Sequence, residues 1–381
     1  MEAIRDAGPK LKSFFYHECR PSDPALVRGS VVVLHGAEGY GGRYGPFGDE
    51  LVKNGYAMFA IDHIGHGRTI LDEKDDLGKW EDKDFFYSAY NAYYLVDKVK
   101  KMYPGKPVYL LGDDYGGTMA QYMMGEFENI FDGVIIASCG MSTARDKWMY
   151  FKCLLKKIAF YDGAKSKGTF RSRTRFLNLR FSPARTKYDW LNSDPKEVDR
   201  FIDDKLSGFV GTVGYYYYQY KYIVSTPLIT RLKKANRNMP ILMIGGRDDG
   251  ITHGGIQILK LKDYYLRKGF TNVESIFYDR ARHDVLLEWN KDEVARDIAD
   301  WMDKNCFVED TFDNTVRQTS ASSAKRHDLV EVKTSTDSKP KTSTTTQTHP
   351  VTVVDEVINP VFVEEEPEDE LRLSTKLKKN D

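Results

Sequence analysis

Two carboxylates and a histidine, each placed just after a short apolar run, are the residues of this chain best suited to chemistry. The segment PVYLLGDDYGGTMA, residues 107–120, reads as a buried strand, a tight glycine-rich turn and the start of a helix. Gly112 and Gly116 let such a turn close and lift the middle side chain, Asp114, above the sheet. The helix behind it aims unpaired N–H groups at that side chain and favours negative charge there. Further on, GGRDDGIT places Asp249 after another apolar run, and YDRARHDVLLE places His283 after the next. The order is attacking group, acid, histidine, with Asp249 orienting the imidazole and His283 acting as general base. The run VVVLHGAEGYGGRY ends in a loop from which Ala37 offers one oxyanion N–H, with Tyr115 offering the other. A carboxylate that attacks an ester must form an anhydride and expel a poorer leaving group, so ordinary ester hydrolysis at Asp114 should be slow. Its neighbour Asp113 is a second acid, and two close carboxylates raise the pKa of one of them.

These residues need a frame. Apolar runs bounded by turn residues recur at 30–34, 56–61, 107–111, 133–138, 240–244 and 273–278, and each predicts a buried strand. Amphipathic segments lie between them: 84–102, with Phe85, Ala89, Ala92, Val96 and Val99 on one side, and 256–267, with Ile256, Leu259 and Tyr264. Alternating strand and helix predicts an α/β fold with a mostly parallel, doubly wound sheet. The alternation breaks between 141 and 236, which predicts an inserted helical cap between core segments 1–140 and 237–309. Within it, Tyr215, Tyr216, Tyr217, Tyr218, Tyr220 and Tyr222 crowd together, with Tyr216, Tyr217 and Tyr220 as candidate substrate contacts. From 310 to 381 the chain is rich in Ser, Thr, Lys and Glu, too polar to bury a core, and predicts a disordered tail.

With 56 basic and 56 acidic side chains the chain carries no net charge, which removes a general pull towards nucleic acid. Charge is local instead. From Lys147 to Lys187, Asp162 is the lone acid among many lysines and arginines interleaved with Trp148, Phe151, Leu155 and Ile158. That pattern predicts either contact with an anionic membrane surface or a solvated cap face. An acidic run, Glu364 to Glu370, has the opposite sign and suits folding back on the cap. Four scattered cysteines and no metal-ligand spacing give no disulfide framework, no metal site and no cofactor. The charged start of the chain is unlike a signal peptide, and no apolar run spans a bilayer, so a cytoplasmic or peripherally membrane-bound protein is expected.

The blocks HGAEGYGGRY, YAMFAIDHIGHGRT, LLGDDYGG, GGRDDGIT and RHDVLLE, in that order over residues 30 to 305, resemble the monoglyceride lipase and lysophospholipase-like family of serine hydrolases. The resemblance implies an α/β-hydrolase fold, a mobile cap, an apolar acyl channel, loose membrane association, and site roles for Ala37, Tyr115, Asp249 and His283. The family's elbow reads Gly-His-Ser-Met-Gly, whereas this one reads Gly112-Asp113-Asp114-Tyr115-Gly116. The Gly-x-Asp-aromatic-Gly-Gly pattern is similar to epoxide hydrolases, in which the carboxylate opens an epoxide and the histidine activates water against the resulting ester. Two functions follow as expectations. One is a hydrolase of a lipid-like substrate with Asp114 at the nucleophile position. The other is an inactive lipase-like protein that binds lipid or a protein partner.

Overall fold

The structure, a computed structural model, describes residues 2–6, 13–70, 77–127, 129–229, 232 and 235–305. The tail expected over 310–381, with its acidic run, lies outside these residues, as does Cys306. The chain opens with strands β1 (Glu2–Asp6) and β2 (Phe14–Cys19), which the apolar-run pattern did not mark. β2 reads FFYHEC, and its polar residues are buried because they are paired: the His17 ring sits 3.1 Å from both oxygens of Asp62. The alternation then runs β3 (Gly29–Leu34), α1 (Gly45–Lys53), β4 (Tyr56–Ile61), α2 (Asp84–Met102), β5 (Val108–Asp113), α3 (Tyr115–Glu126) and β6 (Gly133–Ala137). Helices α4 (Ala144–Ala159), α5 (Lys167–Leu177), α6 (Pro195–Asp203) and α7 (Val213–Ile229) follow, with no strand between them among the described residues. The chain returns to the sheet with β7 (Ile241–Gly246), α8 (Ile256–Arg267), β8 (Val273–Tyr278) and α9 (Lys291–Lys304).

The sheet has eight strands in the order β1-β2-β4-β3-β5-β6-β7-β8. β2 runs antiparallel to β1 and β4, and every other pairing is parallel. Every residue of β3 to β7 is buried, as expected of a parallel sheet covered on both faces, and five of the six apolar runs fall on these strands; the sixth, 273–278, falls on β8 at the sheet edge, where only Val273 and Tyr278 are buried. One core lies under α2 and α3, and the other under α1 and α9. The α/β-hydrolase architecture is therefore present.

The order of strands explains where a site can form. From β3 the chain passes to β4 on one side and, after α2, to β5 on the other, so the loops leaving the C-terminal ends of β3 and β5 part around a crevice. Leu34 is in register with Gly112 and Asp113 with Ala137, so the residues just past β3 and β5 emerge side by side. Helix α2 buries the predicted face of Phe85, Ala89, Ala92, Val96 and Val99. Helix α8 differs from expectation: Ile258, Leu261 and Tyr265 are buried, while Ile256 and Leu259 face outwards. Its sequence IQILKLKDYYLR carries two apolar stripes, and the sheet takes the one spaced i, i+3, i+7.

Candidate active site

Asp114 is lifted from the sheet by backbone strain. It sits between β5 and α3 with φ 48° and ψ −112°, a conformation that costs a non-glycine residue about 1–3 kcal/mol. Its neighbours hold it there: Asp114 N–H donates to the Ala137 carbonyl at 3.0 Å, and Gly117 N–H donates to the Asp114 carbonyl at 3.0 Å. The turn closes because a Cβ at Gly116 would overlap the Leu34 carbonyl and one at Gly112 would overlap the Gly116 carbonyl. Gly36 packs against the Asp114 side chain, where an added Cβ would lie 3.1 Å from that of Asp114.

Two predicted partners reach this carboxylate, Ala37 and His283. Ala37 N–H donates to Asp114 Oδ2 at 3.0 Å. Tyr115 opens α3, so its N–H has no acceptor within the helix. On the other oxygen, Oδ1 lies 3.5 Å from His283 Nε2, an ion contact longer than an ordinary hydrogen bond. His283 Nδ1 lies 3.2 Å from Asp249 Oδ1. Asp249 is fixed in turn by Ile251 N–H at 2.8 Å and by the Thr252 hydroxyl at 2.7 Å, and none of it is exposed. Ser138 donates its hydroxyl to the His283 carbonyl at 2.5 Å, so it supports the histidine and is no substitute nucleophile.

Charge within the site is polarised. Burial pushes the Asp114 carboxyl up, but His283 beside it, then Arg173 and the Ala37 N–H, outweigh this and hold it down at about 2. Burial works against protonation of His283, yet Asp249 and Asp114 together hold it well above the usual histidine value. The neighbour Asp113 behaves in the opposite way, because burial, reinforced by Asp284, pushes it up to about 7. Its Oδ2 accepts from the Tyr44 hydroxyl at 2.7 Å, while its Oδ1 is buried without a partner among the described residues. Of the two adjacent acids it is Asp113 that is raised, through burial and Asp284 first and Asp114 least, while Asp114 keeps its charge.

Several residues not singled out from the sequence complete the site. Glu38, directly after Ala37, forms a buried ion pair with Arg173 from α5. Arg43 donates to Asp284 at 2.7 Å. The Trp190 ring lies 5.3 Å from the His283 imidazole. With Leu191 and Phe201, Trp190 covers a cavity of about 20 Å³ against Asp114, Glu38 and His283, room for roughly one water. HGAE contained the one legible signal, an acid beside the oxyanion loop; its partner Arg173 was hidden among the cap's many basic residues.

The tyrosines Tyr216, Tyr217 and Tyr220 do not line this cavity. The Tyr216 hydroxyl accepts from Gly211 N–H at 3.2 Å, Tyr217 packs against Tyr150, and Tyr220 is buried near Arg173 and Arg145. Successive residues of a helix point about 100° apart, so one turn of consecutive tyrosines reaches several surfaces. Among the tyrosines of α7 it is Tyr215 that reaches the oxyanion loop, its hydroxyl donating to the Ala37 carbonyl. Three buried histidines, His35, His63 and His66, surround this loop. His35 Nδ1 donates to the Gly36 carbonyl at 2.7 Å and its Nε2 accepts from His63 N–H at 3.0 Å, while His66 reaches the Ala37 carbonyl at 3.0 Å. Burial, with neighbouring histidines, lowers His35 far below the ordinary range and His63 to about 3. Among the described residues no group of three or more His, Cys, Asp or Glu side chains is placed to hold a metal, and no helix is long and apolar enough to cross a membrane.

The family model described as serine aminopeptidase, S33, matches residues 25–290, which span the elbow, Asp249 and His283. The chain belongs to that family. Within it, the chain is 25% identical to a monoglyceride lipase homolog of Monkeypox virus over 71% of its own length and 88% of the viral protein. It is 30% identical to human monoglyceride lipase over 38% of its own length, spanning 46% of the human protein. Among solved structures, a thermostable carboxyl esterase from Bacillus coagulans superposes with a TM-score of 0.70 at 20% identity, covering 80% of this chain and 99% of the esterase. A soluble variant of monoglyceride lipase from Saccharomyces cerevisiae superposes with a TM-score of 0.59 at 18% identity, covering 79% of this chain and 94% of the yeast chain. These likenesses establish a monoglyceride-lipase-like α/β-hydrolase.

Proposed function

We propose that this S33-family chain is a hydrolase of apolar, lipid-like molecules whose attacking group is the Asp114 carboxylate and whose electrophile is a carbon, as in an epoxide. One observation carries the reading: Asp114 uses its two oxygens differently. Oδ2 occupies the oxyanion position on Ala37 N–H, and Oδ1 faces the histidine. With the oxyanion donor occupied by the side chain itself, an ester carbonyl has no place to be polarised.

The steps follow from the charges. Oδ1 attacks carbon, the carbon–oxygen bond of the ring breaks, and the alkoxide takes the proton held on His283. Alkylation removes the Asp114 charge that, with Asp249, keeps His283 protonated, so the imidazole becomes a neutral base. It then deprotonates a water that adds to the Asp114 carboxyl carbon, with the developing oxyanion on Ala37 N–H and Tyr115 N–H. Collapse expels the product alkoxide, which takes the carboxyl proton, and regenerates the starting ion pair. Entry of substrate requires Trp190 and Phe201 to move, since the cavity they cover holds no more than a water.

Kinship with monoglyceride lipases supports a lipid-like substrate. The outer face of α4 supports a membrane surface as the working partner: Trp148, Phe151, Leu155 and Ile158 are exposed among Lys147, Lys152 and Lys156.

A second reading rests on the same small cavity and on the closed Asp114–His283–Asp249 pairing, which suit a silenced site in a protein that binds without turnover. Turnover of fluorogenic fatty epoxides, monoacylglycerols and aryl esters by wild type, Asp114→Asn and Asp114→Ser separates the two. The hydrolase reading expects epoxide opening that falls by roughly 10³-fold or more in Asp114→Asn. It also expects an alkyl adduct on Asp114, seen by mass spectrometry of rapidly quenched wild type. Inert wild type together with ester hydrolysis by Asp114→Ser sinks it and supports the silenced site.

A further inference from the structure

The outer face of α5 carries a concentration of positive charge that the chemistry at Asp114 does not use. Lys167, Arg171 and Arg175 repeat every four residues and so form one ridge along the helix. They border a groove of about 810 Å³, which Lys187 also lines. Phe170, Leu179 and Val210 contribute apolar surface, Thr174 and Asn178 contribute polar groups, and no acidic residue lines it. All four cations are exposed, and none has an ion-pair partner among the described residues. Like charges four residues apart each cost an isolated helix roughly 0.2–0.5 kcal/mol. The arrangement is therefore one that an anion would stabilise.

We propose that this groove is the docking site for the chain's own acidic segment, VFVEEEPEDE, residues 361–370. Its last seven residues hold six carboxylates, facing four cations with no competing acid. The pitches also agree. Glu364, Glu366, Glu368 and Glu370 alternate, which in an extended chain spaces them roughly 6.6 Å apart. Cations four residues apart on a helix are separated by about 6 Å along its axis. Pro367 has no N–H and biases Glu366 before it towards extended backbone, which suits this alignment. Val361, Phe362 and Val363 precede the acids and match the apolar surface of Phe170, Leu179 and Val210. The connection is long enough: about 58 residues separate Asn305 from Glu364, and a random chain of that length spans roughly 40 Å, twice the roughly 19 Å radius of gyration of a 300-residue domain. Tethering supplies an effective concentration near the millimolar range, so a weak charged contact is populated.

The consequence reaches the cavity. The inner face of the same helix carries Arg173, buried against Glu38 beside Asp114. A seated tail neutralises the outer ridge and holds α5 against the site. The proposal is independent of the reaction assigned to Asp114.

The test is zero-length carboxyl-to-amine cross-linking of the full chain at low salt, mapped by mass spectrometry, on an equal mixture of isotopically labelled and unlabelled protein. The expected result is intrachain links from residues 364–370 to Lys167 and Lys187 in preference to other exposed lysines. Their yield falls by at least about fivefold in 1 M salt and in Arg171→Gln/Arg175→Gln, which leaves both reporter lysines in place. Links spread evenly over exposed lysines, or unchanged in the double variant, overturn the proposal. Links found mainly between labelled and unlabelled chains overturn it in favour of a second copy as the occupant. Vesicles of phosphatidylcholine and phosphatidylserine provide the remaining arm. Equal loss of vesicle binding on substituting Arg171 and Arg175, whether the six tail acids are intact or changed to amides, assigns the groove to lipid and likewise overturns it.

Discussion

Adjacent aspartates with opposite charge states are the central feature at the scale of single residues. Asp113 ends β5 and Asp114 follows it in the strained turn before α3, so their side chains meet different surroundings. Asp114 meets His283, Arg173 and an N–H, and is held ionised, at about 2. Asp113 meets Tyr44 and the acid Asp284 in a buried setting, and is pushed to about 7. The consequences for stability have opposite signs. The Asp114 contribution is present above the unfolded value of about 4 and is lost as pH falls towards 2. For Asp113, whose folded value is raised, the contribution is present below about pH 4 and is lost as pH rises to about 7. Asp113→Asn, which retains an oxygen for the Tyr44 hydroxyl, is expected to leave stability at pH 4 nearly unchanged and to raise it by about 2 kcal/mol or more at pH 8. Urea unfolding at the two pH values checks this, and an equal change at both would mean that Asp113 is not neutral in the fold.

At the scale of elements, the site is built from the C-terminal ends of strands and the loops that leave them. Asp114, Asp249 and His283 were legible because each follows an apolar run whose strand identity is strongly encoded. β2 was not legible, since its histidine and glutamate are tolerated only through partners such as Asp62, which lies 45 residues away. The tyrosine run of α7 was legible as a cluster but not as a set of directions, which depend on the helix's rotation against the sheet. The elbow itself makes a sharp prediction. A methyl group at Gly116 meets the Leu34 carbonyl, which is backbone of a central strand and cannot yield. Gly116→Ala is expected to lose at least about 3 kcal/mol of stability by urea unfolding, or to fail to fold, whereas Gly105→Ala at an open surface turn with φ 73° should cost about 1–2 kcal/mol from backbone strain alone.

Over the whole molecule, two surfaces of the segment between β6 and β7 differ in character. The α4 face is apolar with a basic surround, and the α5 face is a basic groove. Trp148 and Ile158, at 59% and 76% exposure, place large apolar area in solvent, Trp148 packing against Phe151 of the same exposed face. If α4 works at a lipid surface, Trp148→Ala with Ile158→Ala should weaken binding to anionic vesicles by roughly tenfold or more, about 1.4 kcal/mol, without lowering the unfolding midpoint. Vesicle sedimentation and thermal unfolding measure the two quantities, and a loss of stability equal to the loss of binding would place the residues in the fold and not at the membrane.

The sequence by itself determined strands β3 to β8, their alternation with helices, the elbow and the chain order of its three polar residues. These follow from local periodicity and from turn chemistry, which act over a few residues at a time. It also carried the kinship, because the motif blocks are contiguous. Only the tertiary structure decided which oxygen of Asp114 meets which partner, that Asp113 and not Asp114 bears the raised pKa, that Glu38 and Arg173 pair across 135 positions, and that Tyr215 is the α7 tyrosine on the oxyanion loop. Those outcomes depend on burial and on the distance between groups remote in the chain, quantities that exist only once the sheet has brought them together.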